Sequence, residues 1–223
     1  MLEEVSALIE YKEEPGNLDR AIDLLTVLMR EHPDKDIIRG KLSHAYFYKG
    51  FFAPEGSRER TMFFERGVEY GRQAITLNPR AVYGNFWYGS NLGMLGLCRG
   101  IMASLKSVDP MRRAMEIVLQ ENERFFFAGP HRALGRLYHQ APGWPISIGH
   151  KTKALDHLER AVELAPQFFC NRIYLAEFLI DVGKKAEARQ HLEALVTAQV
   201  NPAHQREDGE YQRHARRLLE KLW

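Results

Sequence analysis

Arg132 and Arg136 stand four residues apart. On a helix that spacing puts both guanidinium groups on one face, where planar forks can take a carboxylate or phosphate two bonds at a time. An amphipathic anion, or the acidic end of a peptide, is the ligand such a pair suits. The alternative is that Arg132 and Arg136 pair with Glu177 or Asp181 on a neighbouring helix and hold the stack.

Other chemistry-bearing types do not assemble. The nine histidines include no H-E-x-x-H and no clustered Cys/His spacing of a metal site. His131 and His139 are eight apart, and His150 and His157 are no better placed. Gly89-Ser90 runs into Asn91-Leu92, so there is no nucleophile elbow, and no phosphate-cradling G-x-x-x-x-G-K sequence occurs. Carboxylate pairs such as Glu3-Glu4 and Glu13-Glu14 fall on exposed turns. The chain reads as a binding protein that is not an enzyme and needs neither cofactor nor metal.

Bulk properties agree with a soluble helical protein. Over 223 residues, 31 basic and 29 acidic side chains give a net charge of +2, with 45% hydrophobic and 27% charged residues. The charges are interspersed, as in Arg58-Glu59-Arg60, without the basic stripe that phosphate contacts require, so nucleic acid is disfavoured. Cys98 and Cys170 lie in apolar surroundings and read as buried thiols, although spacing leaves a disulfide open. The longest apolar stretch, Phe86 to Leu97, is too short to span a bilayer. Met1 to Glu14 reads as a first helix and not a signal peptide, which predicts a cytoplasmic protein if Met1 is the true start.

The elements that must position these residues announce themselves by punctuation. Leu18, Ala21, Ile22, Leu25 and Leu28 keep a three-four spacing that ends at Pro33, and the grammar recurs before Pro79, Pro166 and Pro202. These prolines are 46, 87 and 36 residues apart. A period near 34 with small residues at fixed places marks tetratricopeptide (TPR) repeats. The expected fold is an all-α, TPR-like α-solenoid of five antiparallel helix pairs plus a C-terminal capping helix, one domain over 1–223.

The predicted pairs are 2–14 with 18–31, 36–49 with 58–77, 81–99 with 110–123, 130–139 with 151–164, and 168–182 with 185–198. A last helix covers 205–222, and its Leu218, Leu219, Leu222 and Trp223 could cap a monomer or join subunits in a homo-oligomer. Asp109 is expected as an N-cap with Pro110 at the first helical position. Insertions at 51–57, 100–108 and 140–150 lengthen the connections.

In such a stack the first helix of each pair lines a concave face. Helical register then assigns His44, Phe47 and Tyr48 from the second pair, and Tyr83, Phe86, Ser90 and Met94 from the third. Arg132, Arg136 and His139 follow from the fourth, with Ile173, Glu177 and Asp181 from the fifth. Trp87 is expected in the core. The glycines at 84, 89, 93, 96 and 100 weaken their helix unless close packing compensates. Trp144 either folds back on Tyr138 or covers the groove, and Phe125-Phe126-Phe127 is expected to seal a junction between pairs.

Three segments carry a family likeness. The segments Ala81-Val-Tyr-Gly-Asn-Phe-Trp-Tyr-Gly-Ser-Asn-Leu-Gly93, Gly129-Pro-His-Arg-Ala-Leu-Gly-Arg-Leu-Tyr138 with Pro142-Gly-Trp-Pro145, and Asn171-Arg-Ile-Tyr-Leu-Ala-Glu177 resemble the T component of tripartite ATP-independent periplasmic (TRAP) transporters. That group is itself distantly similar to regulators of microtubule dynamics. The resemblance implies an accessory protein that contacts the transporter's substrate-binding subunit, holds a small amphipathic or carboxylate ligand in an apolar channel, and works in the periplasm. Members of that group are usually exported and often lipid-anchored, whereas this sequence shows neither a signal peptide nor a lipobox cysteine. A general scaffold that binds a partner's helix or peptide in its groove is the other reading.

Overall fold

The computed structural model describes residues 1–222; Trp223, one of the expected capping residues, lies outside them. Regular structure among the described residues is helical: α1 (Leu2–Glu10), α2 (Asn17–Glu31), α3 (Asp36–Phe52), α4 (Arg58–Leu77), α5 (Val82–Arg99), α6 (Ile101–Glu121), α7 (Phe125–Gln140), α8 (Lys151–Leu164), α9 (Phe169–Asp181), α10 (Lys185–Thr197) and α11 (Gln205–Glu220), with one 3₁₀ turn at Pro202–His204. Five helix pairs and a final helix are therefore present, as the repeat grammar predicts. No helix among the described residues is long and apolar enough to cross a membrane.

The chain forms two compact units, Met1–Glu123 with α1 to α6 and Arg124–Trp223 with α7 to α11. In the first, α3 packs on α4, α4 on α5 and α5 on α6, and the first helices α3 and α5 also touch directly. In the second, α7 packs on α8 and α9 on α10, α9 also meets α7, and α11 closes against α9 and α10.

The second helices of the first, fourth and fifth pairs bury the apolar faces read from the sequence. Leu18, Ala21, Leu25 and Leu28 are buried on α2, Ala154, Leu158 and Ala161 on α8, and Ala188, Leu192 and Leu195 on α10. Three-four spacing gathers each set on one stripe, and removing it from water drives the pairing.

The repeat prolines also supply hydrogen-bond acceptors. Arg39 donates to the Pro33 carbonyl at 2.7 Å, Asn85 to Pro79 at 2.9 Å, and Arg172 to Pro166 at 3.0 Å. Each donor lies six residues beyond its proline, in the first turns of the next helix. A side chain at the same place thus ties down the same inter-repeat turn three times, giving the turn's proline carbonyl a donor.

A buried polar joint holds α3, α4 and α5. Ser43 donates to the Gly67 carbonyl at 2.7 Å, and Asn91 Nδ2 donates to the Ser43 and Trp87 carbonyls at 2.9 and 2.8 Å. A Cβ on Gly67 would stand 2.1 Å from Asn91 Oδ1, so only glycine lets Asn91 reach in. The glycine-rich α5 is closely packed as well: a Cβ on Gly89 would lie 2.7 Å from Met115 Cε.

Two expectations about boundaries are corrected. α1 ends at Glu10, not Glu14, and a turn follows in which Asn17 donates to the Tyr11 carbonyl at 2.8 Å. The stretch 101–108 is helix and not a lengthened connection, because Gly100 at φ 91 breaks α5 and α6 begins at once. Pro110 therefore sits inside α6, and Asp109 is no N-cap. Its carboxylate reaches one turn onward to Arg112 and Arg113, and those hydrogen bonds hold it below its usual pKa.

Candidate functional site

The predicted aromatic positions of the first unit meet around one imidazole. His44 on α3 stacks on Trp87 of α5 with ring centroids 3.6 Å apart, and its Nδ1 lies 2.7 Å from the Tyr83 hydroxyl. Tyr48 and Phe47 close the cluster from α3 at 6.0 and 5.2 Å from Trp87. Phe86 meets Trp87 edge-on at 4.9 Å. The α3–α5 contact makes this possible, since the glycine at position 40 lets the chain of Tyr83 and Gly84 approach.

Depth sorts the predicted residues. His44, Tyr48 and Phe86 are buried with Trp87, the expected core residue, whereas Phe47, Tyr83, Ser90 and Met94 are half-buried. Neighbouring helices cover the first three.

Two lysines that sequence reasoning did not single out complete the site. Lys12 is buried with its ammonium 4.5 Å from the Tyr48 ring centroid, and Lys41 sits 5.1 Å from Tyr83 while donating to Ser6 at 2.8 Å. Burial pushes the Lys41 pKa down and the Tyr83 pKa up. Burial, reinforced by Lys12 and Lys41, drives His44 well below 6.5 and keeps it neutral. A cation three residues before His44 was legible as a helical neighbour of that face; Lys12 lies on a turn and carried no periodic signal.

The arginine pair is divided by its surroundings. Arg132 is buried and turns back onto its own chain, donating to the Phe127 carbonyl and to Asn171 Oδ1, each at 3.0 Å, with its guanidinium 4.6 Å from the Phe168 ring centroid. The carbonyls it holds belong to a left-handed run, Phe126, Phe127 and Ala128, at φ 46, 56 and 57. Such backbone costs about 1–2 kcal/mol per residue. Asn171 Nδ2 adds a bond to the Phe127 carbonyl at 3.2 Å. Phe127 stacks on Phe168 at 4.7 Å within the same unit.

Arg136 is half-buried and faces Glu177 of α9 at 2.5 Å, lying over the Tyr174 ring at 4.4 Å. His214 of α11 takes the other Glu177 oxygen at 2.8 Å. His139 reaches Asp181 at 2.8 Å. Arg136, His139 and Glu177 are thus brought into one polar row along α7, α9 and α11, while Ile173 is buried beneath it. Trp144 is 89% exposed and does not fold back on Tyr138. Among the described residues no group of three metal-ligating side chains converges.

Among curated proteins, no sequence matches the chain. A family profile, regulator of microtubule dynamics protein 1-3, matches residues 150–223. Yeast Tom70 overlays with a TM-score of 0.37 and 10% identity over 92% of this chain and 60% of its own. The TPR protein TTC0263 of Thermus thermophilus overlays with a TM-score of 0.64 and 18% identity, covering 88% of this chain and 91% of that one. These findings overturn the TRAP T-component assignment drawn from the three sequence segments, for the matched profile is a different one and the structure overlaid at TM-score 0.64 is a TPR protein. What the chain shares with TTC0263 is the fold: an all-α, TPR-like α-solenoid built of helix pairs.

Proposed function

We propose that this protein is a non-catalytic interaction scaffold whose first-helix surface on α3 and α5 takes an extended or helical segment of a partner protein. The observation that carries the reading is the half-buried pairing of the Lys41 ammonium with the Tyr83 ring on the joined faces of α3 and α5. A cation on an aromatic floor favours a partner segment that alternates acidic and apolar side chains. The TPR-like fold and the profile match to a family named for regulating microtubule dynamics both support protein partners. The second unit, taken by itself, offers in Arg136, Glu177 and His139 a polar row of mixed sign that suits a partner segment of mixed charge.

Placing a photo-crosslinking p-benzoylphenylalanine at Tyr83, and separately at exposed Glu69 on α4, tests the reading. A protein adduct formed at 83 and not at 69, weakened by Lys41→Glu, is expected. Equal labelling at both positions sinks it. Native mass spectrometry is the companion measurement: a small anion retained by the purified chain and released by Lys41→Glu would replace the scaffold reading with a small-ligand one.

A further inference from the structure

The α7–α8 connection carries an apolar tip that the fold does not use. Pro142, Gly143, Trp144, Pro145 and Ile146 are five consecutive exposed residues without a charge, Trp144 at 89% and Ile146 at 72% exposure. Large apolar side chains in a disordered tail would be unremarkable, but this loop is built. Gly149 N–H donates to the Pro142 carbonyl at 2.8 Å, His150 N–H to Tyr138 at 3.0 Å, and Ile146 N–H to Gly143 at 3.1 Å. Its base is thus cross-tied, and the indole is held out into solvent.

Along the chain, the charge that directly flanks the tip is basic. From Arg124 to Leu155 the chain holds no Asp or Glu, and Lys151 and Lys153 stand exposed at the root of the loop. The α9–α10 turn adds Lys185, while Lys184 is paired with Glu187 and Asp181 meets His139. On α8 itself Asp156 stands within one turn of Lys153, and Glu159 lies about two turns from Lys151.

We propose that this loop is a membrane-contact device: Trp144 and Ile146 seat in the headgroup region of a bilayer containing anionic lipid, and Lys151 and Lys153 meet its phosphates. An indole has an apolar body and a polar N–H, which is why tryptophan gathers at the membrane–water interface. Each lysine near such a surface adds attraction equivalent to about a fivefold gain in partitioning. A short apolar wedge with adjacent basic residues binds on the membrane without spanning it.

The test is cosedimentation of the full chain, at low ionic strength, with vesicles of phosphatidylcholine containing phosphatidylserine, beside vesicles of phosphatidylcholine alone. Binding to the anionic vesicles with a blue shift of tryptophan emission is expected. Trp144→Ser should abolish the shift and weaken binding about tenfold, and Lys151→Gln with Lys153→Gln about twenty-five-fold together. Because these side chains are exposed, the thermal midpoint of the variants should match the parent. Absence of vesicle binding, equal binding to neutral vesicles, or binding indifferent to Trp144→Ser each overturns the proposal. A self-association lost in Trp144→Ser, with no vesicle binding, would instead assign the loop to a contact between copies.

Discussion

Arg132 on α7 and Asn171 on α9 share a 3.0 Å hydrogen bond, and both hold the carbonyl of Phe127 in the left-handed kink near the start of α7. Three strained residues and one buried guanidinium thus stabilise one another. Arg132→Gln leaves these acceptors short of donors, and the expected loss is about 3 kcal/mol of unfolding free energy. Urea denaturation followed by far-ultraviolet dichroism measures it; a loss under about 0.5 kcal/mol contradicts the clamp.

Arg136 behaves differently because it is paired across helices near the surface. A double-mutant cycle with Arg136→Gln and Glu177→Gln should return a coupling of about 1 kcal/mol. Adding salt should shrink it. A coupling near zero would release Arg136 from its structural role and return it to partner binding.

His44 sets a pH dependence whose sign follows from its neutral state. Its folded pKa lies well below the 6.5 of an ordinary histidine, chiefly through burial and then through Lys12 and Lys41. The unfolded chain therefore takes up a proton that the folded chain refuses. Stability is fully present above pH 6.5 and is lost as pH falls below it, approaching about 1.4 kcal/mol per pH unit. His191, lowered by burial and Arg172, contributes in the same sense. Thermal melts between about pH 5 and 8 should show this slope, and His44→Gln should flatten it.

Gly67→Ala probes the close approach of α4 to Asn91. The added methyl would occupy the space of the amide, with a contact of 2.1 Å that the buried network cannot yield. A loss of about 2–3 kcal/mol is expected, although alanine is the better helix former by about 1 kcal/mol. A stabilised variant, read by differential scanning calorimetry, would refute the packing.

The two thiols should differ. Cys98 is exposed, and Cys170 is buried with burial raising its thiol pKa. Iodoacetamide on the folded chain should modify Cys98 and spare Cys170 until denaturant is added, as peptide mass mapping would show.

Helix identity and repeat order were written in the chain itself. Ala154, Leu158 and Ala161 on α8 announce their buried face by spacing alone, and proline ends a helix wherever it occurs beyond the last apolar turn, because both effects are local. The Gly100–Pro110 stretch misled for the same reason: proline near a glycine reads as a boundary, yet the energetic cost of one missing bond is absorbed when α6 packs along α5. Register placed His44, Tyr48 and Phe86 on a groove, but neighbouring helices decide which aromatic ring is covered. Likewise the arginines at 132 and 136 are equivalent on a helical wheel. Only the folded chain, by bringing Asn171 to one and Glu177 to the other, makes the first a clamp on strained backbone and the second a half-exposed ion pair. Such partners lie about forty residues away in sequence, beyond the reach of any local pattern.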